Sequence, residues 1–274
     1  MEEKINEIQN INVGIPTADN PDDLAQQFMA FNEIVKLLRM YCPWDRKQTN
    51  QSIAYLLIEE TYELLDAIEN SDDKEFSKEL GDILLHVVMH AIMAEERGAF
   101  NMVDVLKKIQ QKMIYRHPHV FGDVQVNGTG DVLANWEALK MKEGQKSILQ
   151  GVPKALPALL RAQRIQHKVS NVGFDWDNRA DVWNKVEEEL HELRAEINAG
   201  NLANAEIELG DFFFSLVNAA RFEGIVAEEA LQKTNNKFTN RFQYIEQRAV
   251  ELGKSLKDMT LAEMDVLWDE AKKH

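Results

Sequence analysis

One pattern of acidic residues occurs twice along this chain, at a fixed distance. Glu59-Glu60-Thr61-Tyr62-Glu63 is followed by Glu79-Leu80-Gly81-Asp82. Glu188-Glu189-Leu190-His191-Glu192 is followed by Glu208-Leu209-Gly210-Asp211, with every acid displaced by 129 residues. Flanking residues echo in the same order. Trp44-Asp45 returns as Trp176-Asp177, Lys112 and Arg116 as Lys237 and Arg241, and Trp136 and Lys140 as Trp268 and Lys272. The offset drifts between 125 and 132 residues, as changes in loop length produce. Two copies of one domain explain this with the fewest assumptions.

The period of the apolar residues is helical. It recurs every three or four positions in Phe28-Phe31-Ile34-Val35-Leu38, in Leu56-Leu57-Leu64-Leu65-Ile68 and in Leu84-Leu85-Val88-Ile92. Val120 to Val126 is the one short strand candidate. Pro43, Pro118 and Asn127-Gly128 read as loop punctuation. The predicted fold is therefore all-α, with two tandem helical-bundle domains. The expected boundaries are an extension over 1–21, a first domain over 22–143, a linker over 144–152 carrying Gly144, Gly151 and nearby Pro153, and a second domain over 153–274.

On a helix, residues three or four apart share a face. Glu60 and Glu63 then point one way, as do Glu79 and Asp82 on the next helix. Asn70-Ser71-Asp72-Asp73 supplies a turn and an N-cap between them, and so short a connection makes the helices antiparallel neighbours. Four carboxylates converge in the first copy, and Glu189, Glu192, Glu208 and Asp211 converge in the second. Without a cation this is costly: two charges about 6 Å apart repel by roughly 3 kcal/mol at an effective dielectric near 20. Such acids either splay into water as an ordinary charged helix face or share a metal. Oxygen donors alone favour magnesium, manganese or calcium.

Charge supports the same reading. At a formal −15 the chain repels nucleic acid polymers and anionic membranes, so a phosphate-bearing ligand requires a cation. Cys42 is the only cysteine, which excludes a disulfide framework and a thiolate zinc cage and makes a reducing cytoplasm the default. No apolar run reaches a membrane span, and no signal segment follows Met1. Lys237 and Arg241 share a helical face suited to phosphate oxygens, and Trp268 with Lys272 offers a ring and a charge. Each taken alone is equally an ordinary surface or core residue. Lys185 stands one turn before Glu189, where the first copy has Leu56; it either touches substrate or pairs with Glu189.

Other chemistries fit poorly. A di-iron carboxylate bundle needs Glu-x-x-His on two helices. Glu188-x-x-His191 supplies one, but Tyr62 occupies the matching place, and His86 and His90 are answered by Ser215 and Ala219. A phosphate-binding Gly-x-x-x-x-Gly-Lys loop and a Gly-x-Ser-x-Gly elbow are both missing. A non-enzymatic nucleotide-sensing or partner-binding module stays open for the first copy.

The doubled signature, EETYE…ELGD and EEELHE…ELGD, resembles the MazG family of nucleoside triphosphate pyrophosphohydrolases. CPWDRKQT, RHPHVFG and ALQKTNNKF are similar to the two-domain bacterial members, and the similarity runs over essentially all of the chain beyond residue 21. The resemblance implies an all-α homodimer that cleaves nucleoside triphosphates, with broad base and sugar tolerance, to monophosphate and pyrophosphate. It implies that Glu189, Glu192, Glu208 and Asp211 bind Mg²⁺, with Mn²⁺ an alternative. Lys237, Arg241, Trp268 and Lys272, with Lys185, would hold the nucleotide. Glu60, Glu63, Glu79 and Asp82, with Lys112, Arg116, Trp136 and Lys140, are the first-copy counterparts. Glu188 and Glu189 are the candidates for the base that activates water, and the second copy is the expected main catalytic one.

Overall fold

The computed structural model describes residues 13–144 and 146–273; residues 1–12 of the expected extension and Gln145 of the expected linker lie outside them. The described residues form helices and connections, with no strand. They divide into two compact units, 1–122 and 123–274.

In the first unit α1 (Leu24–Tyr41) and a short α2 (Pro43–Lys47) precede α3 (Ala54–Glu69) and α4 (Asp73–Glu96), which pack side by side. Then come α5 (Met102–Arg116) and the single turn α6 (Pro118–Phe121). Val35 of α1 and Val88, Met89, Ile92 and Met93 of α4 form the core with Ile53, and Phe28, Phe31, Leu56 and Leu85 close around it. Pro43 and Pro118 thus begin short helices rather than mark loops. Proline tolerates the first helical position because its missing N–H has no intrahelical partner there. Val120 accordingly sits in α6, and the strand candidate is corrected: a lone extended segment with no neighbouring strand has nothing to satisfy its backbone groups.

The second unit holds α7 (Thr129–Lys142), α8 (Ala158–Ser170), α9 (Arg179–Asn198), α10 (Leu202–Phe222), α11 (Ala227–Glu251), a 3₁₀ turn (Leu256–Asp258) and α12 (Leu261–Ala271). The pair α9–α10 packs as α3–α4 does, and α8 lies against α10 and α11. Val182, Val186 and Ala219 form one core with Phe212 and Phe222. Ile245, Ala249, Met259 and Leu267 form another, with Trp268 and Met264 packed on it. Helix α7, bearing Trp136 and Lys140, falls within the residue range of the second unit, although the repeat aligns it with the first copy. The compact units part after Gly122, and the linker expected over 144–152 falls within the residue range of the second unit.

Both carboxylate-bearing hairpins turn in the same way. Ser71 N–H donates to the Ile68 carbonyl and Asp72 N–H to the Ala67 carbonyl; Gly200 and Asn201 repeat these bonds to Ile197 and Glu196. This is a Schellman closure, which needs a left-handed residue. Gly200 adopts φ 72°, and Ser71 takes φ 54° in its place. Asp72 offsets part of that strain by capping α4, accepting from Lys74 N–H and Glu75 N–H, whereas Asn201 makes no such bond. A left-handed L-residue costs about 1–2 kcal/mol, part of which glycine loses again in chain entropy. We expect Ser71→Gly to stabilise the first unit by about 0.5–1 kcal/mol, read as a higher urea midpoint at unchanged slope.

Candidate functional site

The hairpin geometry brings three acids together in each copy. Ligand oxygens of Glu60, Glu79 and Asp82 lie within 4.8 Å of one another, and so do those of Glu189, Glu208 and Asp211. These are equivalent positions of the repeat. Helices α3 and α9 each give one carboxylate; α4 and α10 each give two, one turn apart. Glu63 and Glu192 stand beside these triads rather than in them, near enough for their charge to act on Glu60 and Glu208 respectively.

The triads are electrostatically strained. Burial, then Asp82, Glu63 and Glu79, push the Glu60 carboxyl above its ordinary value. Desolvation, then Glu192 and Asp211, do the same to Glu208. Glu79 is only 2% exposed, and its Oε2 is buried without a hydrogen-bond partner. Among buried carboxylates an orphaned oxygen is a place for a missing cation. The donor set is entirely oxygen, as a hard divalent ion requires.

Each triad also has one lysine, drawn from a different helix. Lys78 of α4 reaches Glu79 at 2.6 Å. Lys185 of α9 bridges Glu188 and Glu189 at 2.8 Å each. Both ammonium groups are driven upward by their carboxylate partners, Lys78 mainly by Glu79 and Lys185 mainly by Glu188. Of the two readings of Lys185, pairing with Glu189 is what the structure shows. Lys78 is absent from the sequence reading; its adjacency to Glu79 was the available signal, but the repeat has Ile207 there. Glu189 is 6% exposed, whereas Glu188 faces solvent outside the triad.

Of the other residues, Arg241 and Trp268 meet, the guanidinium lying 5.4 Å from the ring centre. Phe238 packs on the same indole at 5.1 Å, so Trp268 is mostly a core ring. Lys237 stands exposed one turn before Arg241, and neither forms an ion pair with a described residue. Lys272 is held by Asp269 at 2.7 Å. Lys140 lies over Trp136 at 5.4 Å, Lys112 is exposed on α5 beside Phe100, and Arg116 ends that helix. His86 and His90 sit on the core side of α4, their ring centres 6.1 Å apart, and burial lowers both below the ordinary histidine value. No triad includes them, which disfavours a histidine-bearing iron site.

Fold and site together define an all-α protein with two acidic, oxygen-donor clusters built on equivalent helical hairpins. Comparison with known proteins gives the family. The model of the MazG nucleotide pyrophosphohydrolase domain matches residues 48–121 and 180–245, just over half of the chain. A Bacillus subtilis protein described as uncharacterized protein YabN is 48% identical over 266 residues, covering 95% of this chain and 54% of that one. A nucleoside triphosphate pyrophosphohydrolase of Escherichia coli K12 is 43% identical over 238 residues, covering 85% of this chain and 90% of that one. The Thermotoga maritima nucleoside triphosphate pyrophosphohydrolase/pyrophosphatase MazG is 42% identical over 250 residues, covering 88% and 95%. The chain belongs to the MazG family, in its two-domain bacterial form; it spans about half the length of the Bacillus relative and nearly all of the other two.

The raised carboxyls set the direction of a pH test. Without a cation, a carboxyl whose folded value lies above its unfolded one destabilises the fold at neutral pH. That penalty is relieved as pH falls through the folded value toward the ordinary 4.5. A divalent ion relieves it instead, and protons compete with the ion. Mg²⁺ should therefore raise the melting temperature at pH 7.5 and do so less at pH 5. Glu208→Gln should raise the metal-free melting temperature and blunt the Mg²⁺ response; both are read by calorimetry.

Proposed function

We propose that this protein hydrolyses nucleoside and deoxynucleoside triphosphates of broad base range to the monophosphate and pyrophosphate, in a Mg²⁺-dependent reaction centred on the second copy. The observation that carries the reading is the second triad, Glu189, Glu208 and Asp211, built on the hairpin that the family model spans. Glu192 stands next to it as a fourth oxygen donor. A bound Mg²⁺, or Mn²⁺ in its place, would neutralise phosphate charge and acidify water there.

The chain's own residues divide the remaining work. A water oxygen attacks the α-phosphorus, the bond from that phosphorus to the α–β bridging oxygen breaks, and pyrophosphate leaves. One proton must go to a carboxylate. Glu188 is the candidate because it lies next to the triad but outside it, and the Lys185 ammonium stands 2.8 Å from both Glu188 and Glu189. Lys237 and Arg241, without competing carboxylates, stabilise the departing pyrophosphate. Trp268 holds Arg241 by its ring face, and Lys272, paired with Asp269, follows one turn after Trp268. The equivalent positions Glu60, Glu63, Glu79, Asp82, Lys112, Arg116, Trp136 and Lys140 form the parallel set of the first copy.

The same reading includes a homodimer. Tyr55, Ile58 and Leu65 on α3, and Ile207 and Phe213 on α10, are large apolar residues left exposed on the carboxylate hairpins. Isolated chains rarely leave such faces bare. A cytoplasmic protein without membrane or nucleic-acid partners accords with the −15 charge, and no helix among the described residues is long and apolar enough to cross a membrane.

Product analysis tests the reaction: a triphosphate with Mg²⁺ should yield pyrophosphate and monophosphate, and chelator should stop it. Orthophosphate with diphosphate would move the cut and sink the proposal. Glu208→Gln with Asp211→Asn should lower kcat by about 100-fold or more, because two metal-binding oxygens lose their charge. In Glu79→Gln with Asp82→Asn, turnover falls if the first triad is also catalytic. If that copy only binds nucleotide, binding stoichiometry falls while turnover persists.

A further inference from the structure

The second unit keeps its acids and its cations on two different cores. The acids of the second triad ride on α9 and α10, whose core is Val182, Val186 and Ala219. Lys237 and Arg241 ride on α11, which shares with α12 the core of Ile245, Ala249, Met259 and Leu267. Helix α11 packs chiefly on α12, its successor in the chain; its other packing is against α8 and, more sparsely, α10. The placement of one core against the other therefore rests largely on how α8 joins them.

That joint is a reciprocal pair of helix caps. The Ala227 N–H, first of α11, donates to Gln163 Oε1 of α8 at 3.1 Å. The Leu160 N–H, in the first turn of α8, donates to Glu228 Oε2 of α11 at 3.2 Å. Each helix supplies an acceptor that the other lacks, since the N-cap residues Pro157 and Val226 make no side-chain cap bond. Gln163 is 6% exposed, and its amide is fixed at both ends, because Nε2 donates to the Ile225 carbonyl at 3.3 Å. Glu228 brings its charge to two helix N-termini at once, where the helix dipoles favour it. One turn further along α8, Gln166 Nε2 donates to the Phe214 carbonyl at 2.8 Å and ties α8 to α10. The first copy caps the equivalent helix locally. At the offset that relates Lys112 to Lys237, Val226 corresponds to Asn101, and Asn101 forms a capping box with Asp104 of α5 itself. In the second copy the cap comes from another helix.

We propose that Gln163 and Glu228 are positioning residues of the pyrophosphohydrolase reaction: their reciprocal caps lock α11 to α8 and so fix Lys237 and Arg241 against the carboxylates of α9 and α10. The inference rests on the triphosphate reading above. Lys237 and Arg241 follow Ala227 by about 15 and 21 Å along one continuous helix. A tilt of about 5° at the capped end carries them roughly 1.3 and 1.8 Å sideways. A misplacement of about 1 Å is enough to cost roughly 100-fold in rate. Both residues act through α11 rather than on the substrate.

The test uses the full chain with Mg²⁺ and saturating triphosphate, assayed well below the melting temperature of every variant. Gln163→Met keeps the side-chain volume and deletes both amide bonds; kcat should fall about 10-fold or more. The rise in melting temperature on adding Mg²⁺ should match that of the unmodified protein, because the hairpin that bears the triad is untouched. In a Lys237→Ala background the same substitution should cost less than about 3-fold, because one of the cations it positions is gone. A merely structural role would lower the melting temperature, leave kcat unchanged, and act independently of Lys237. An unchanged kcat, or an undiminished loss in the Lys237→Ala background, overturns the proposal while leaving the pyrophosphohydrolase reading intact. Should Gln163→Met fail to fold, Glu228 provides the second arm. Glu228→Ala should lower kcat about 5-fold or more, and Glu228→Gln, which keeps an acceptor for Leu160, should restore it to within about 2-fold. Equal losses in those two variants overturn the proposal. Absence of turnover by the unmodified protein overturns the triphosphate reading and this inference together.

Discussion

Three carboxylates whose oxygens lie within 4.8 Å repel one another, and much of each unit's architecture holds them in place against that repulsion. The antiparallel hairpin brings them together through a Schellman turn, the same bonds closing it at Ser71 and at Gly200. The core behind each hairpin, Val88 with Ile92 in one unit and Val182 with Ala219 in the other, fixes the helices that carry the acids. A lysine then offsets part of the charge. That Lys78 comes from the second helix of one hairpin and Lys185 from the first helix of the other shows that the demand is electrostatic, not tied to one position. The strain that remains, in the raised Glu60 and Glu208 carboxyls and the orphaned Glu79 oxygen, is what a divalent cation would remove.

Duplication preserved the costly part of the site and released the rest. Beyond the shared acids, α4 continues as a buried core helix through Met89 and Ile92, whereas α10 turns polar at Asn218 and Arg221. Arginine at that depth needs partners, and Asp175 with Asn218 supplies them in a planar, multiply bonded arrangement. The divergence gives the two copies different surroundings for the same three carboxylates. One cluster is backed by apolar packing; the other lies two helical turns from a cavity with aromatic and amide walls.

The acid spacing, the helical period and the turn at Asn70–Asp73 were all legible in the sequence because each is a local property. Residues three apart on a helix share a face whatever surrounds them. The same locality misled at Pro43 and Pro118, read as loops, because a proline ends one helix and begins another equally well. Trp268 was readable as a ring available to a base, and the structure packs it against Phe238, Arg241 and the α11–α12 core. Nothing local distinguishes a tryptophan that faces a ligand from one that faces its neighbours.

The chain's order of residues thus determined the class of fold, the two hairpins and the oxygen-only donor sets, since helix geometry converts spacing directly into a shared face. Only the tertiary structure decided which three of each four acids meet, and that Gln166, Trp176 and Asn218 wall one cavity. Those relations join α3 to α4, α9 to α10, and α8 with the α8–α9 connection to α10, and packing between separate helices sets them. No spacing along a single helix encodes how another will lie against it.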